Sequence, residues 1–161
     1  MGLAAGQIAL DTDFAAIAAA STLKPVCQVY QTAGQSLTDN TLTALTFGGE
    51  NFDSHGFHST SVNPTRVTPN VAGIYRITGT VFTTPLTTTT QTRAMARKNG
   101  TTQYAPASGW GNVVNAVGHS FTFTTMLAFD GLTDYVELCV LQDNTANTAV
   151  STLSSNPYIT M

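Results

Sequence analysis

Apolar and polar residues alternate along most of this chain, most clearly over residues 71–82. After Gly73, a period of two places Tyr75, Ile77 and Val81 on one face of an extended strand. Gly79 falls on that face and leaves room for a large neighbour. Ile74, Arg76, Thr78 and Thr80 fall on the other face, polar and β-branched, which suits either water or a partner subunit. The same pattern predicts a second long strand over 118–129, with Phe121, Phe123, Leu127 and Phe129 opposite Thr122, Thr124 and Met126. One apolar face per strand calls for a second sheet over it.

Shorter strands are expected over 26–30, 41–47, 63–69, 92–97, 101–104, 135–141, 148–153 and 157–161. Leu42 is out of phase with Leu45 and Phe47, which implies a bulge or an early end. Asn99-Gly100 is a hairpin signal, and the turn at Asp130-Gly131 is expected to fold 135–141 back onto 118–129. Residues 48–58, 83–90 and 105–117 (the last carrying Trp110) read as loops. Strands at this spacing give an all-β, two-sheet antiparallel sandwich over residues 25–161.

Residues 1–24 differ. They are rich in Ala, with Leu3, Ile8, Leu10, Phe14 and Ile17 as the larger apolar side chains. Asp11 or Thr12 would cap a short helix reaching Ala20. So short a helix needs a surface to dock on, so the segment reads as an anchoring arm or as a frayed tail. Lys24-Pro25 marks the boundary.

Charged residues are only 9% of the chain and the formal net charge is −3. That argues against nucleic acid, whose binders concentrate Lys and Arg. No apolar run reaches membrane-spanning length. So few charges fit a surface partly covered by other copies of the chain, or one coated with Thr, Ser and Asn. Cys27 and Cys139 read as buried free thiols, with a single bridge as the alternative. The first residues lack a basic region followed by an apolar core, which points to synthesis in the cytoplasm with reduced thiols.

The residues give little to chemistry. Glu50 and Asp53 are the closest carboxylates in the 48–58 loop. His55 and His58 beside Asp53 have the composition of a metal site, but a loop-packing role is the stronger reading. No nucleophile motif, phosphate loop or cysteine cluster is present. The expectation is therefore no catalytic residue, no cofactor and no metal. Tyr104 and Trp110 are candidates for a ligand-facing loop, by stacking on a sugar ring.

Three segments carry a resemblance. Gly73-Ile-Tyr75-Arg-Ile77 resembles the Gly-x-Tyr-x-Phe strand of the C1q/TNF-like jelly rolls, and Lys98-Asn-Gly100 resembles that family's hairpin. Residues 127–138 resemble its Leu-x-x-Gly-Asp-x-Val-x-Leu segment, with Thr133 where the family usually has Gly and a slightly longer loop. Phe52-Asp53, Gly56 and His58 are similar to the segment that precedes the Gly-x-Tyr strand in phage and bacterial members, and residues 5–17 resemble N-terminal segments of phage tail and fibre proteins. The resemblance implies a jelly roll and a homotrimer. Arg76, Thr78, Thr80, Thr122, Thr124 and Met126 would then face the trimer axis. It also implies a non-enzymatic bacteriophage virion protein, a surface knob made in the host cytoplasm and held to other virion proteins through Ile8, Leu10, Phe14 and Ile17. Capsid decoration and a minor tail or host-attachment role are both open, with a host-surface glycan as a candidate partner. The alternative is a carbohydrate- or receptor-binding module of a bacterial surface protein.

Overall fold

The computed structural model describes residues 24–83, 91–109, 119–143, 148–150 and 158–161. Among them are eleven strands: β1 Cys27–Tyr30, β2 Gln35–Leu37, β3 Thr43–Ala44, β4 Gly49–Asp53, β5 Gly73–Thr83, β6 Gln91–Lys98, β7 Thr102–Gly109, β8 His119–Phe129, β9 Val136–Asp143, β10 Thr148–Val150 and β11 Tyr158–Thr160. All pair antiparallel. One sheet runs β2-β10-β5-β11-β1-β4, with β8 on the other side of β5, and the second runs β3-β9-β6-β7. The chain is a two-sheet antiparallel sandwich.

The two long strands behave as their periodicity demands. β5 and β8 pair along their whole length, from Gly73 opposite Phe129 to Thr83 opposite His119. Tyr75, Ile77, Val81, Phe121, Phe123, Leu127 and Phe129 are buried against Ala94, Ala96, Leu138 and Val140 of the second sheet. Gly79 lies opposite Phe123, and a Cβ there would come within 2.5 Å of that ring and 3.0 Å of Leu138. The missing side chain is thus what lets the Phe123 ring lie between the sheets.

The β6–β7 hairpin also forms where expected. Asn99 and Gly100 have positive φ, 53° and 71°, and Thr101 N–H donates to Lys98 C=O at 3.1 Å. Both central residues in the left-handed region make the turn whose twist matches the strands it joins.

Other expectations are corrected. The Asp130 turn does not fold β9 back onto β8: β9 pairs with β6 and β3 in the opposite sheet. The Asp130 carboxylate accepts N–H bonds from Leu132, Thr133 and Asp134, and the loop carries the chain across the sandwich. Residues 49–53, expected in a loop, are β4, bonded to β1 across a register shift at Gln28/Val29. The strand expected over 41–47 shrinks to Thr43–Ala44, although Leu45 and Phe47 are buried. Residues 63–69 make only a single bridge, Val67 to Val136. β7 continues to Gly109, into the stretch read as loop. The expected 83–90 loop lies almost wholly outside the described residues.

The Asp130 loop makes an acid-sensitive joint. Backbone N–H bonds hold the Asp130 carboxyl far below the usual carboxylate range, and bonds from Asn99 and Lys98 lower Asp134 as well. A carboxylate whose folded value is depressed contributes stability above its unfolded value, about pH 4, and loses it as pH falls toward the folded value. Melting curves between about pH 2 and pH 5 should therefore have a steep acid limb in the parent chain and a shallower one in Asp130→Asn. Coincident limbs would count against the loop as the titrating element.

Candidate functional site: the outer face of the first sheet

Strand alternation that buries the aromatic side chains of β5 and β8 turns the residues between them outward. A row of directly paired residues crosses this outer face: Thr124 of β8, Thr78 of β5, Thr160 of β11 and Gln28 of β1. Thr78 and Thr124 hydroxyls meet at 3.1 Å, and Thr80 and Thr122 hydroxyls at 3.0 Å one pleat away. Gln28 Nε2 donates to Thr160 Oγ1 at 2.9 Å, and Asn51 Nδ2 donates to Gln28 Oε1 at 2.8 Å. The result is an uncharged hydrogen-bonded belt.

Beside the belt, toward the end where β5 begins, the face turns apolar. Met126 and Ile74 are 67% and 71% exposed, values that leave most of each side chain without a covering partner. Val26 and Phe52 are also exposed, Phe52 directly opposite Gln28. Val71 and Leu132 are exposed around that end, where a Cβ on Gly131 would run into the Val71 and Ala72 backbone. Of the seven large apolar residues exposed among the described ones, Ile74 and Met126 lie on the central strands β5 and β8 and Phe52 on the edge strand β4. Arg76 stands in the middle, paired with Met126 and between Ile74 and Thr78 along its strand.

The structure therefore brings Arg76, Thr78, Thr80, Thr122, Thr124 and Met126 onto one continuous exposed face. Sequence periodicity had grouped them, and Ile74 with them. It missed Phe52, because 48–58 read as loop. Ile8, Leu10, Phe14, Ile17 and Trp110 lie outside the described residues. Tyr104 is half-buried and packs against the core.

The acidic loop folds around itself. Asp53 accepts backbone N–H bonds from His55 at 3.3 Å and His58 at 2.8 Å. The fully buried His58 ring places Nδ1 2.9 Å from Glu50 Oε1 and Nε2 3.3 Å from Pro64 C=O. Ser54 Oγ lies 2.7 Å from His55 Nδ1 and bonds both N–H and C=O of Val26. Asp53, Ser54 and His55 contain the residue types of a hydrolytic triad, but the carboxylate orients backbone and not the imidazole, so the relay is broken. Among the described residues no three His, Cys, Asp or Glu side chains are grouped to hold a metal. His55, His58 and Asp53 thus join β1, β4 and the following turn.

Both thiols are free and buried. Burial pushes the Cys139 thiol up to about 12 and the Cys27 thiol higher still, with Asp53 and Glu50 adding to the second effect. Neither is an activated nucleophile.

A polar cluster that the sequence did not suggest lies on the second sheet. Glu137, its side chain 6% exposed, sits 2.8 Å from Arg97 Nη2 and 3.9 Å from Arg66 Nε, and accepts from Thr65 Oγ1 at 3.0 Å. The only sequence signal is a charge inside the apolar run 136–141.

No family model matches the chain, and no curated protein matches it. Its fold does match solved structures. The crystal structure of murine APRIL at pH 8.0 superposes with a TM-score of 0.62 at 11% identity, covering 84% of this chain and 95% of that one. The structure of Eiger TNF from S. frugiperda gives a TM-score of 0.57 at 11% identity, covering 85% and 91%. At this identity the likeness is one of fold.

Proposed function

We propose that this chain is a non-enzymatic jelly-roll module that assembles as a homotrimer through the outer face of its first sheet. The observation that carries this reading is the exposure of Ile74 and Met126 on the central strands of that face, with Phe52 on its edge strand, beside a belt whose hydroxyls and amides already bond one another. Covering Ile74, Met126, Val26 and Phe52 removes apolar surface from water, at about 25 cal/mol per Å², while the satisfied belt adds little desolvation cost. Exposed apolar groups clustered this way mark an interaction site. The resemblance of the 73–77 strand to C1q/TNF-like jelly rolls favours a second and third copy as the occupants.

The same resemblance, extended to residues 5–17 and 52–58, supports placing the trimer on a bacteriophage virion as a surface knob, made in the host cytoplasm and anchored by residues 1–24. Capsid decoration and a minor tail or host-attachment role both fit this reading.

Light scattering of the purified full chain at micromolar concentration should give three times the chain mass, and Met126→Glu should give a folded monomer. A parent chain that scatters as a monomer would overturn the assembly. Deleting residues 1–24 should leave the trimer intact and abolish incorporation into particles. Incorporation of the truncated chain would overturn the anchoring role.

A further inference from the structure

We infer that the assembled protein binds a small inorganic oxyanion, of phosphate or sulfate chemistry, between the Arg76 side chains of neighbouring copies. This rests on the assembly reading above. Arg76 is surrounded on its face by Ile74, Met126, Thr78 and Thr124, and that face carries no acidic side chain among the described residues. Three cations on or beside the second sheet are paired: Arg97 with Glu137 at 2.8 Å, Arg66 with Glu137 at 3.9 Å, and Lys98 with Asp134 at 2.7 Å, whereas Arg93 of β6 is not paired among the described residues. Among the described residues, Arg76 has no such partner.

Most of a neighbouring copy's described carboxylates are already engaged within their own chain. Glu137 and Asp134 are held by the cations just named. Asp130 is held by its own loop N–H groups and Asp53 by those of His55 and His58. Glu50 bonds His58, and Asp39 is also engaged within its own chain. Packing a second copy over the face strips water from the guanidinium, and a buried cation without counter-charge is strongly unfavourable. A tetrahedral oxyanion supplies that charge and accepts paired N–H bonds from the guanidinium fork. The Thr78 and Thr124 hydroxyls, already beside the arginine, bond each other and leave one O–H as a further neutral donor.

The test melts the full chain and measures its mass in chloride, then across a millimolar titration of sodium sulfate or sodium phosphate at constant ionic strength. The parent trimer should gain about 3 °C in Tm and saturate. Arg76→Met should remain trimeric, melt higher than the parent in chloride and lose the saturable gain. Arg76→Lys should keep a weakened one. General salting effects of sulfate act on all three proteins and do not saturate in this range. A parent trimer without a saturable response, or an equal response in Arg76→Met, overturns the anion site and leaves the assembly standing. A parent monomer in every salt overturns both.

Discussion

Glu137→Ala should lower unfolding free energy by about 3–5 kcal/mol, the usual cost of breaking a buried ion pair on one side. The Glu137 side chain is 6% exposed, with that of Arg97 21% exposed beside it, so solvent screens neither charge well. Its removal leaves the Arg97 guanidinium beside apolar β9 without its counter-charge and frees the Thr65 hydroxyl that had donated to it. It also loosens segment 64–67 from the sheet, where Val67 and Val136 exchange backbone bonds at 2.9 Å. Arg66→Ala is the internal comparison. Arg66 is 38% exposed and 3.9 Å from the carboxylate, so its loss should cost under about 1 kcal/mol. Urea unfolding of the two variants checks both numbers, and similar losses would mean that Glu137 is not the organising charge.

Phe57→Ala should cost about 3–5 kcal/mol, the range for deleting a buried aromatic side chain. Phe57 is 2% exposed and meets Tyr75 edge-on at 5.9 Å, and Tyr75 meets Phe129 edge-on at 5.7 Å. Three rings therefore link the β4–β5 connection to the ends of β5 and β8. Thr68 N–H donates to Phe57 C=O at 2.7 Å, so the backbone of the connection hangs on the same residue. Phe57→Leu should recover more than half of the loss, since it refills most of the volume. Chemical unfolding curves for Phe57→Ala and Phe57→Leu that coincide with the parent would show that the connection is not held by this ring.

How far the sequence could be read depended on the length of each periodic run. β5 and β8 have eleven residues each, enough for alternation to assign both faces, and Asn99-Gly100 fixed its hairpin by chemistry alone. β4 was hidden because Glu50, Asn51 and Phe52 are all exposed on an edge strand, which erases the burial contrast that alternation reads. β9 misled in the opposite way. Val136 through Val140 are buried on both faces, so nothing local said which sheet they joined, and the Asp130 turn looked like an ordinary hairpin. The candidate surface was legible as a face, from Arg76, Thr78, Thr80, Thr122, Thr124 and Met126. Its extension to Val26 and Phe52 needed the pairing of β1 with β4, a contact that sequence spacing does not announce.

The pairing of β1 with β11 has a kinetic meaning. Gln28 lies opposite Thr160, and Cys27 exchanges both backbone bonds with Met161 at 3.2 and 2.9 Å. The first described strand must therefore wait for the last, and until β11 arrives the sheet is split between β1 and β5. Closing a loop of that length is entropically unfavourable before any contact repays it, and non-local pairing of this kind makes all-β domains slow folders. On the ribosome, residues 27–30 emerge more than a hundred residues before their partner. Their unpaired backbone edge stays open until then, a window in which a chaperone or another nascent chain can bind it before the sheet closes.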